Sequence, residues 1–276
     1  DNLQKVDVGY PKENLLILRV DAKAAGYDDS RLQGLFDRLQ ERVRATPGVQ
    51  SASYSPHGVF MGGDSGDEIE VEGFTSSVKG ELSSSYDLVG PGYFSTLRIP
   101  IRMGREITER DNANSPKVCI VKEAFAKKFF KGRNPLGMHV TQVYGIQRNM
   151  FEVVGVAANA RKQNLRGEIE HRFFVPVSQP IDVPERVTFA IRSMGNPSAV
   201  IPALRRAILA EDPNLPVSAA RPLSELIDER TVQDRLLARL SLGFGIVALL
   251  LAAIGLYGVL SYGVARRTSE IGIRTA

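Results

Sequence analysis

The stretch from Leu240 to Ala265 constrains this chain more than any other, because its 26 consecutive residues carry no charge. At about 1.5 Å per residue, a helix of that length runs to roughly 39 Å, more than the ~30 Å hydrocarbon core of a bilayer. The stretch therefore predicts a membrane span. Lipid offers the backbone no hydrogen-bond partners, so the segment is expected to be helical despite Gly243, Gly245, Gly255, Gly258 and Gly263. Gly255 and Gly258 fall on neighbouring turns with Ala252 and Ser261, a small-residue stripe that lets a second helix approach closely. Tyr257 and Tyr262 stand toward the far end, as interfacial aromatics do. A hydrophobic central helix of a soluble domain is the alternative reading of the same residues.

The flanks give the span its meaning. Beyond it run Arg266-Arg267-Thr268-Ser269-Glu270-Ile271-Gly272-Ile273-Arg274-Thr275-Ala276, with no cap or closing turn. The first residue is Asp1, and residues 1–12 show neither a charged n-region nor an apolar h-region, so no signal peptide is expected in what reads as a piece of a longer protein. Arg266 and Arg267 favour a cytoplasmic end here, while Arg235 and Arg239 on the other side pull against that assignment. Without residues 240–276, the chain holds 32 basic and 30 acidic residues. The pI of about 9.2 is thus no case for nucleic acid, which needs a clustered basic face. The single Cys119, inside Val118-Cys119-Ile120-Val121, is expected to pack as a small buried hydrophobe, and one cysteine offers no disulfide framework.

Read in order, Leu15-Leu16-Ile17-Leu18-Arg19-Val20 suits a strand. Asp28, Asp29 and Ser30 can cap a helix whose Leu32, Leu35, Phe36, Leu39 and Val43 share one face, and a strand from Val49 to Tyr54 follows Pro47-Gly48. The same β-α-β order returns about 170 residues later. There a strand at Val187–Arg192 is followed by a helix opened by Asn196-Pro197-Ser198 with Val200, Ile201, Leu204, Ile208 and Leu209 on one side, and then by a strand from Val217. Two such units predict an α+β sandwich with its helices on one side of a shared sheet; chance similarity of two common motifs is the alternative. The residues between them read as a mainly β insertion. Met61 to Asp67 is expected to be a flexible loop, with an exposed strand at Ile69, Val71 and Phe74. A buried strand at Val118–Val121, a short helix at Glu123–Phe130, and strands at His139–Val143, Phe151–Val156 and Arg172–Val177 follow. Residues 223–239 then read as a helix with Leu223, Leu226, Ile227, Leu236 and Leu237 on its apolar side.

Patterns that imitate chemistry do not assemble a reaction. Gly63-Asp64-Ser65-Gly66, with His57 nearby, matches the serine stretch of trypsin-like proteases, yet all of it sits in one glycine-rich loop that is expected to hold no fixed hydrogen-bond geometry. In Gly90-Pro91-Gly92 the proline removes an amide donor, and the Gly-Lys-Ser/Thr of a phosphate loop follows nowhere. His57, His139 and His171 are isolated and lack neighbouring metal-ligand spacing. No catalytic residue, cofactor or metal is expected.

Several stretches carry a family resemblance. Val89-Gly90-Pro91-Gly92-Tyr93-Phe94-Ser95-Thr96-Leu97-Arg98-Ile99-Pro100 and Met103-Gly104-Arg105 resemble a block in the extracytoplasmic domain of MacB-type ABC transporter permeases. So do Asn134-Pro135-Leu136-Gly137 and Phe151-Glu152-Val153-Val154-Gly155-Val156. The span and its Glu270-Ile271-Gly272-Ile273-Arg274 tail look like the second transmembrane helix and coupling segment of FtsX-like permeases, nearest in wording to duplicated, ATPase-lacking permeases of acidobacteria. Arg98 stands where a glycine is usual, and Ala158-Asn159 where Gly-Asp is common.

The resemblance implies that residues 1–57 and 185–222 form a porter-like subdomain and 58–184 an inserted β-rich one. Residues 223–239 would then be a stalk helix, 240–265 a transmembrane helix and 266–276 a cytoplasmic coupling segment. It implies an inner-membrane permease with residues 1–239 in the periplasm, acting in efflux, export or mechanotransmission as a homodimer or as duplicated halves. A separate cytoplasmic ABC ATPase would bind the ATP, docking at Glu270, Ile271, Gly272 and Arg274, and a periplasmic adaptor would be a further partner. A ligand-sensing receptor and a membrane-anchored hydrolase are the competing classes. The first normally continues into a heptad-patterned helix and the second needs a converging acid, base or metal cluster.

Overall fold

In the computed structural model, the first apolar run forms strand β1 (Leu15–Asp21). Both of its faces are buried at Leu15 to Leu18, which is why it reads as a continuous apolar string. The structure describes residues 8–78, 80–162, 168–179, 183–229 and eight residues between 241 and 251. Helix α1 (Asp29–Arg44) starts at Asp28, whose Oδ1 accepts the Arg31 amide at 3.2 Å, a cap worth about 1 kcal/mol. Its Leu32, Leu35, Phe36, Leu39 and Val43 are fully buried, each contributing about 1.5–3 kcal/mol. Strand β2 (Val49–Ser55) completes the unit.

The middle of the chain supplies β3 (Ser65–Val71), β4 (Ser83–Val89), the short helix α2 (Tyr93–Leu97), β5 (Ile101–Gly104) and β6 (Val118–Lys122). Next come α3 (Glu123–Phe125) with a π turn at Ala126–Phe130, then β7 (His139–Tyr144), β8 (Gln147–Ala157) and β9 (Arg172–Pro176). The second β-α-β unit is β10 (Arg186–Ser193), α4 (Pro197–Leu209) and β11 (Val217–Pro222), with Asn196 Oδ1 capping α4 through the Ser198 amide at 3.0 Å.

Two sheets result, both within the compact unit of residues 1–227. One has the order β11-β1-β10-β2 with every neighbour antiparallel, so the strands of the two β-α-β units interleave and neither unit pairs with itself. Leu16, Leu18, Val20, Phe189 and Ile191 of this sheet pack in one core with α1 and α4. The other has the order β5-β8-β6-β9-β4-β3-β7, and β7 also pairs with β8 from His139↔Glu152 to Tyr144↔Gln147, which closes six strands into a barrel. Its interior holds Cys119, Val121, Phe151, Val153, Phe173 and Val175, plugged by Phe125 and Phe129. Cys119 is fully buried there, as its apolar surroundings predict, and burial pushes its thiol pKa up.

Two expectations need correction. Ser65, Gly66 and Asp67 are not loop but the start of β3, paired with Tyr86, Ser85 and Ser84 of β4, a polar serine-rich strand whose composition hides it. The helix at 123–130 turns π after Phe125, because one extra residue in the turn lets Phe125, Phe129 and Phe130 all reach the interior. The position of Arg98 demands a left-handed backbone, φ 59°, which explains why glycine suits it.

Residues 223–229 are helical, and Leu223, Leu226 and Ile227 are buried. In the second compact unit, residues 228–276, the eight described residues between 241 and 251 are all helical, and Phe244, Ile246, Leu249 and Leu251 are exposed. Among the described residues no helix is long and apolar enough to cross a membrane. Most of the expected span, with Gly255 and Gly258, lies outside them, as does the tail with Glu270, Ile271, Gly272 and Arg274.

Candidate functional site

Strand alternation sends Leu88, Cys119, Val121, Phe173 and Val175 into the barrel and turns Asp87, Val89, Ile120, Lys122, Arg172 and Phe174 outward. Part of that outer face is apolar. Val89, Ile120 and Phe174 join Tyr93, Phe94 and Leu97 of α2 and Leu15, Ile17 and Ala190 of the four-stranded sheet in one core, with Phe174 edge-on to Phe94 at 5.0 Å. Hydrogen bonds tie the two sheets directly. The Gly90 amide donates to Tyr54 O at 2.8 Å and Ser53 Oγ to Gly90 O at 3.0 Å, while Gln40 and Arg44 of α1 donate to Pro91 O. A Cβ on Gly90 would meet the Tyr54 ring at 2.9 Å, so this crossing requires glycine. The buried Arg192 guanidinium clamps α2 from β10, donating to Thr96 O at 2.8 Å and to Glu13 O at 2.9 Å.

The remainder of the outer face is ionic. Arg172 is fully buried, and its guanidinium grips Asp64 at 2.7 and 2.8 Å, Glu170 at 2.8 Å and Tyr86 O at 3.1 Å. Burial opposes that charge, but Asp64 and its carboxylate neighbours outweigh it and raise the guanidinium pKa further. Asp64 likewise resists burial through Arg172 and titrates below the usual range. Lys162 Nζ lies 2.5 Å from Asp87 Oδ2, both side chains being almost wholly buried, in a close ion contact without hydrogen-bond alignment. Burial lowers the Lys162 pKa while Asp87 counters it. Lys122 Nζ donates to Ala160 O at 2.8 Å and stands 4.0 Å from Glu170; burial, then repulsion from Arg172, brings it down to about 8. Three buried cations thus face Asp64, Asp87 and Glu170.

Beside this network a cavity of about 600 Å³ is lined by Arg19, His57, Met61, Ser65, Asp87, Leu88 and Arg186, among others. Here the sequence expectation fails, since His57 Nε2 and Ser65 Oγ are 2.8 Å apart, fixed because Ser65 is held in β3. The arrangement still lacks the orienting carboxylate of a nucleophilic triad, for Asp64 is engaged by Arg172 and Ser85. Burial and the nearby Lys162 lower the His57 pKa and favour the neutral ring. Of the other histidines, His139 Nδ1 meets Glu72 at 2.9 Å and His171 is part-buried with its pKa lowered by burial. Among the described residues no His, Cys, Asp and Glu group has metal-site geometry. The expected coupling and helix-packing residues lie outside the described residues.

The family described as MacB-like periplasmic core domain matches residues 2–222, which include both sheets. The chain belongs to this family. In structure, the MacB-like core domain here resembles the periplasmic region of MacB from Actinobacillus actinomycetemcomitans, with TM-score 0.53 at 17% identity, covering 83% of this chain and 97% of that one. In sequence it is 27% identical over 188 residues to a macrolide export ATP-binding/permease protein MacB of Nitrosomonas europaea, covering 64% of this chain and 27% of that protein. It is also 27% identical over 201 residues to a pyoverdine export ATP-binding/permease protein PvdT of Pseudomonas aeruginosa, covering 65% and 28%. The chain therefore spans under a third of the length of these curated relatives.

The ionic residues of this core domain escaped the sequence reading. Their signal was present as single charges embedded in strands: Asp87 before Leu88-Val89, Lys122 after Cys119-Ile120-Val121, and Arg172 before Phe173-Phe174-Val175.

Proposed function

We propose that this chain is the extracytoplasmic domain and adjoining membrane segment of an ABC transporter permease, placed in the inner membrane with residues 1–239 in the periplasm. The observation that carries the reading is the family match across residues 2–222, joined to a fold like that of a MacB periplasmic region. In this reading a cytoplasmic ABC ATPase hydrolyses ATP, and residues 240–265 carry the resulting movement to the outer domain for export or for force transmission. Residues 1–57 with 185–222 act as one subdomain and 58–184 as the other. Gly255 and Gly258 pack the span against another helix of a permease dimer or of duplicated halves, and the outer domain meets a periplasmic adaptor. Glu270, Ile271, Gly272 and Arg274 dock in the ATPase.

Affinity capture of the full-length parent from membranes tests this. The parent is expected to retain a protein carrying ATPase activity, and Glu270→Lys to lose it while the outer domain keeps its circular dichroism. Undiminished capture by the variant would count against the docking role.

A further inference from the structure

We infer that the cavity between the two sheets is a binding site for a small organic carboxylate with an apolar body. At about 600 Å³ it has the size of a small-molecule site. Its charged wall follows from register. Arg19 stands opposite Thr188 and Asp21 opposite Arg186, so both guanidiniums rise from the same face of the sheet, diagonal neighbours on β1 and β10.

The carboxylates near them are largely committed elsewhere. Asp87 is held by Lys162 at 2.5 Å, Glu185 and Asp29 share Lys23 at 3.2 and 3.8 Å, and Asp21 lies 3.7 Å from Arg186. Among the described residues Arg19 therefore has no carboxylate within ion-pair distance. The hydrogen bond of Arg19 is a single long one, from Nε to Thr188 Oγ1 at 3.3 Å, so its paired Nη donors remain for a ligand. Burial and then repulsion from Arg186 lower the Arg19 pKa, a strain that a bound anion would relieve.

The opposite wall fixes the rest of the ligand class. The His57 and Ser65 pair offers neutral hydrogen-bonding groups, while Met61 and Val183 offer apolar contact. A planar guanidinium fork without a carboxylate partner suits a carboxylate ligand, which accepts two parallel hydrogen bonds. This inference does not depend on transport, since it concerns binding to the folded domain alone.

Titration calorimetry on the chain of residues 1–276 in lipid nanodiscs, with empty nanodiscs as reference, tests it. Hydrocinnamate is expected to bind at one site, and hydrocinnamyl alcohol and hydrocinnamylamine, which share its apolar body, at least about tenfold more weakly. Arg19→Gln is expected to weaken hydrocinnamate about tenfold and the half-exposed Arg186→Gln about threefold, with Arg148→Gln on the barrel unchanged. Phenyl phosphate is expected to bind more weakly than the carboxylate, and tighter binding would overturn the carboxylate assignment. The site is refuted by no heat from hydrocinnamate up to about 10 mM, by equal binding of the alcohol, or by unchanged affinity in Arg186→Gln, whose partial exposure keeps folding out of the question.

Discussion

The two parts of the barrel's outer face are held in place by opposite means. The apolar part, around Phe174, Phe94 and Ile17, acts through buried area, which is non-directional and tolerates small slides. The ionic part, Asp64–Arg172–Glu170 with Lys162–Asp87 and Lys122, is directional, and a shift of a few ångströms would strand buried charges. Its net contribution to stability is small, because desolvating six charged groups offsets most of their attraction. The contrast teaches that buried area joins the two sheets while charge fixes the barrel's own strands and loops to one another.

Substitutions can break this contrast, in order of expected effect. Phe174→Ala removes a ring that touches both Phe94 and Tyr93 and is expected to cost about 4 kcal/mol in urea unfolding. Asp87→Ala strands Lys162 and is expected to cost about 3 kcal/mol, whereas Asp87→Leu combined with Lys162→Met should return to within about 1 kcal/mol of the parent. If the double variant is as damaged as the single one, the ionic part contributes net stability and the contrast fails.

Lys122 provides a pH test. Its folded pKa of about 8 lies below the ordinary 10.5, so between those values the unfolded chain binds more protons. Stability is therefore expected to gain from this group as pH rises from 8 to 10.5, and urea midpoints of Lys122→Met should lack that gain. The smallest effect is expected outside the network. Arg98→Gly relieves a left-handed backbone and is expected to raise stability by about 0.5–1 kcal/mol, read as a modest increase in melting temperature.

Much of the four-stranded sheet was legible because its signals are local. Asp28 before a five-residue apolar face announces α1, Asn196-Pro197 announces α4, and the run at Leu15 announces a strand buried on both sides. Barrel closure was not legible. It depends on β7 meeting β8 on one side and β3 on the other, and on the serine-rich β4, whose residues lack the usual strand preference. The ionic network was hidden for a related reason, since Arg172 and Asp64 stand 108 residues apart and neither shows its partner by spacing. The protease-like stretch illustrates the converse. Local pattern brought His57 and Ser65 to notice, and the fold does fix them together, yet Asp64 answers to a distant arginine rather than to the histidine.

The interleaved order β11-β1-β10-β2 also has a consequence during synthesis. Every barrel strand lies between Ser65 and Pro176, so that body can close while later codons are still being read. Strands β1 and β2 have no neighbour available until Arg186 and beyond leave the ribosome, because both pair with β10 and β1 also with β11. Strand β1, greasy on two sides, must wait for partners made about 170 residues later, and that interval is when a chaperone would have most to protect.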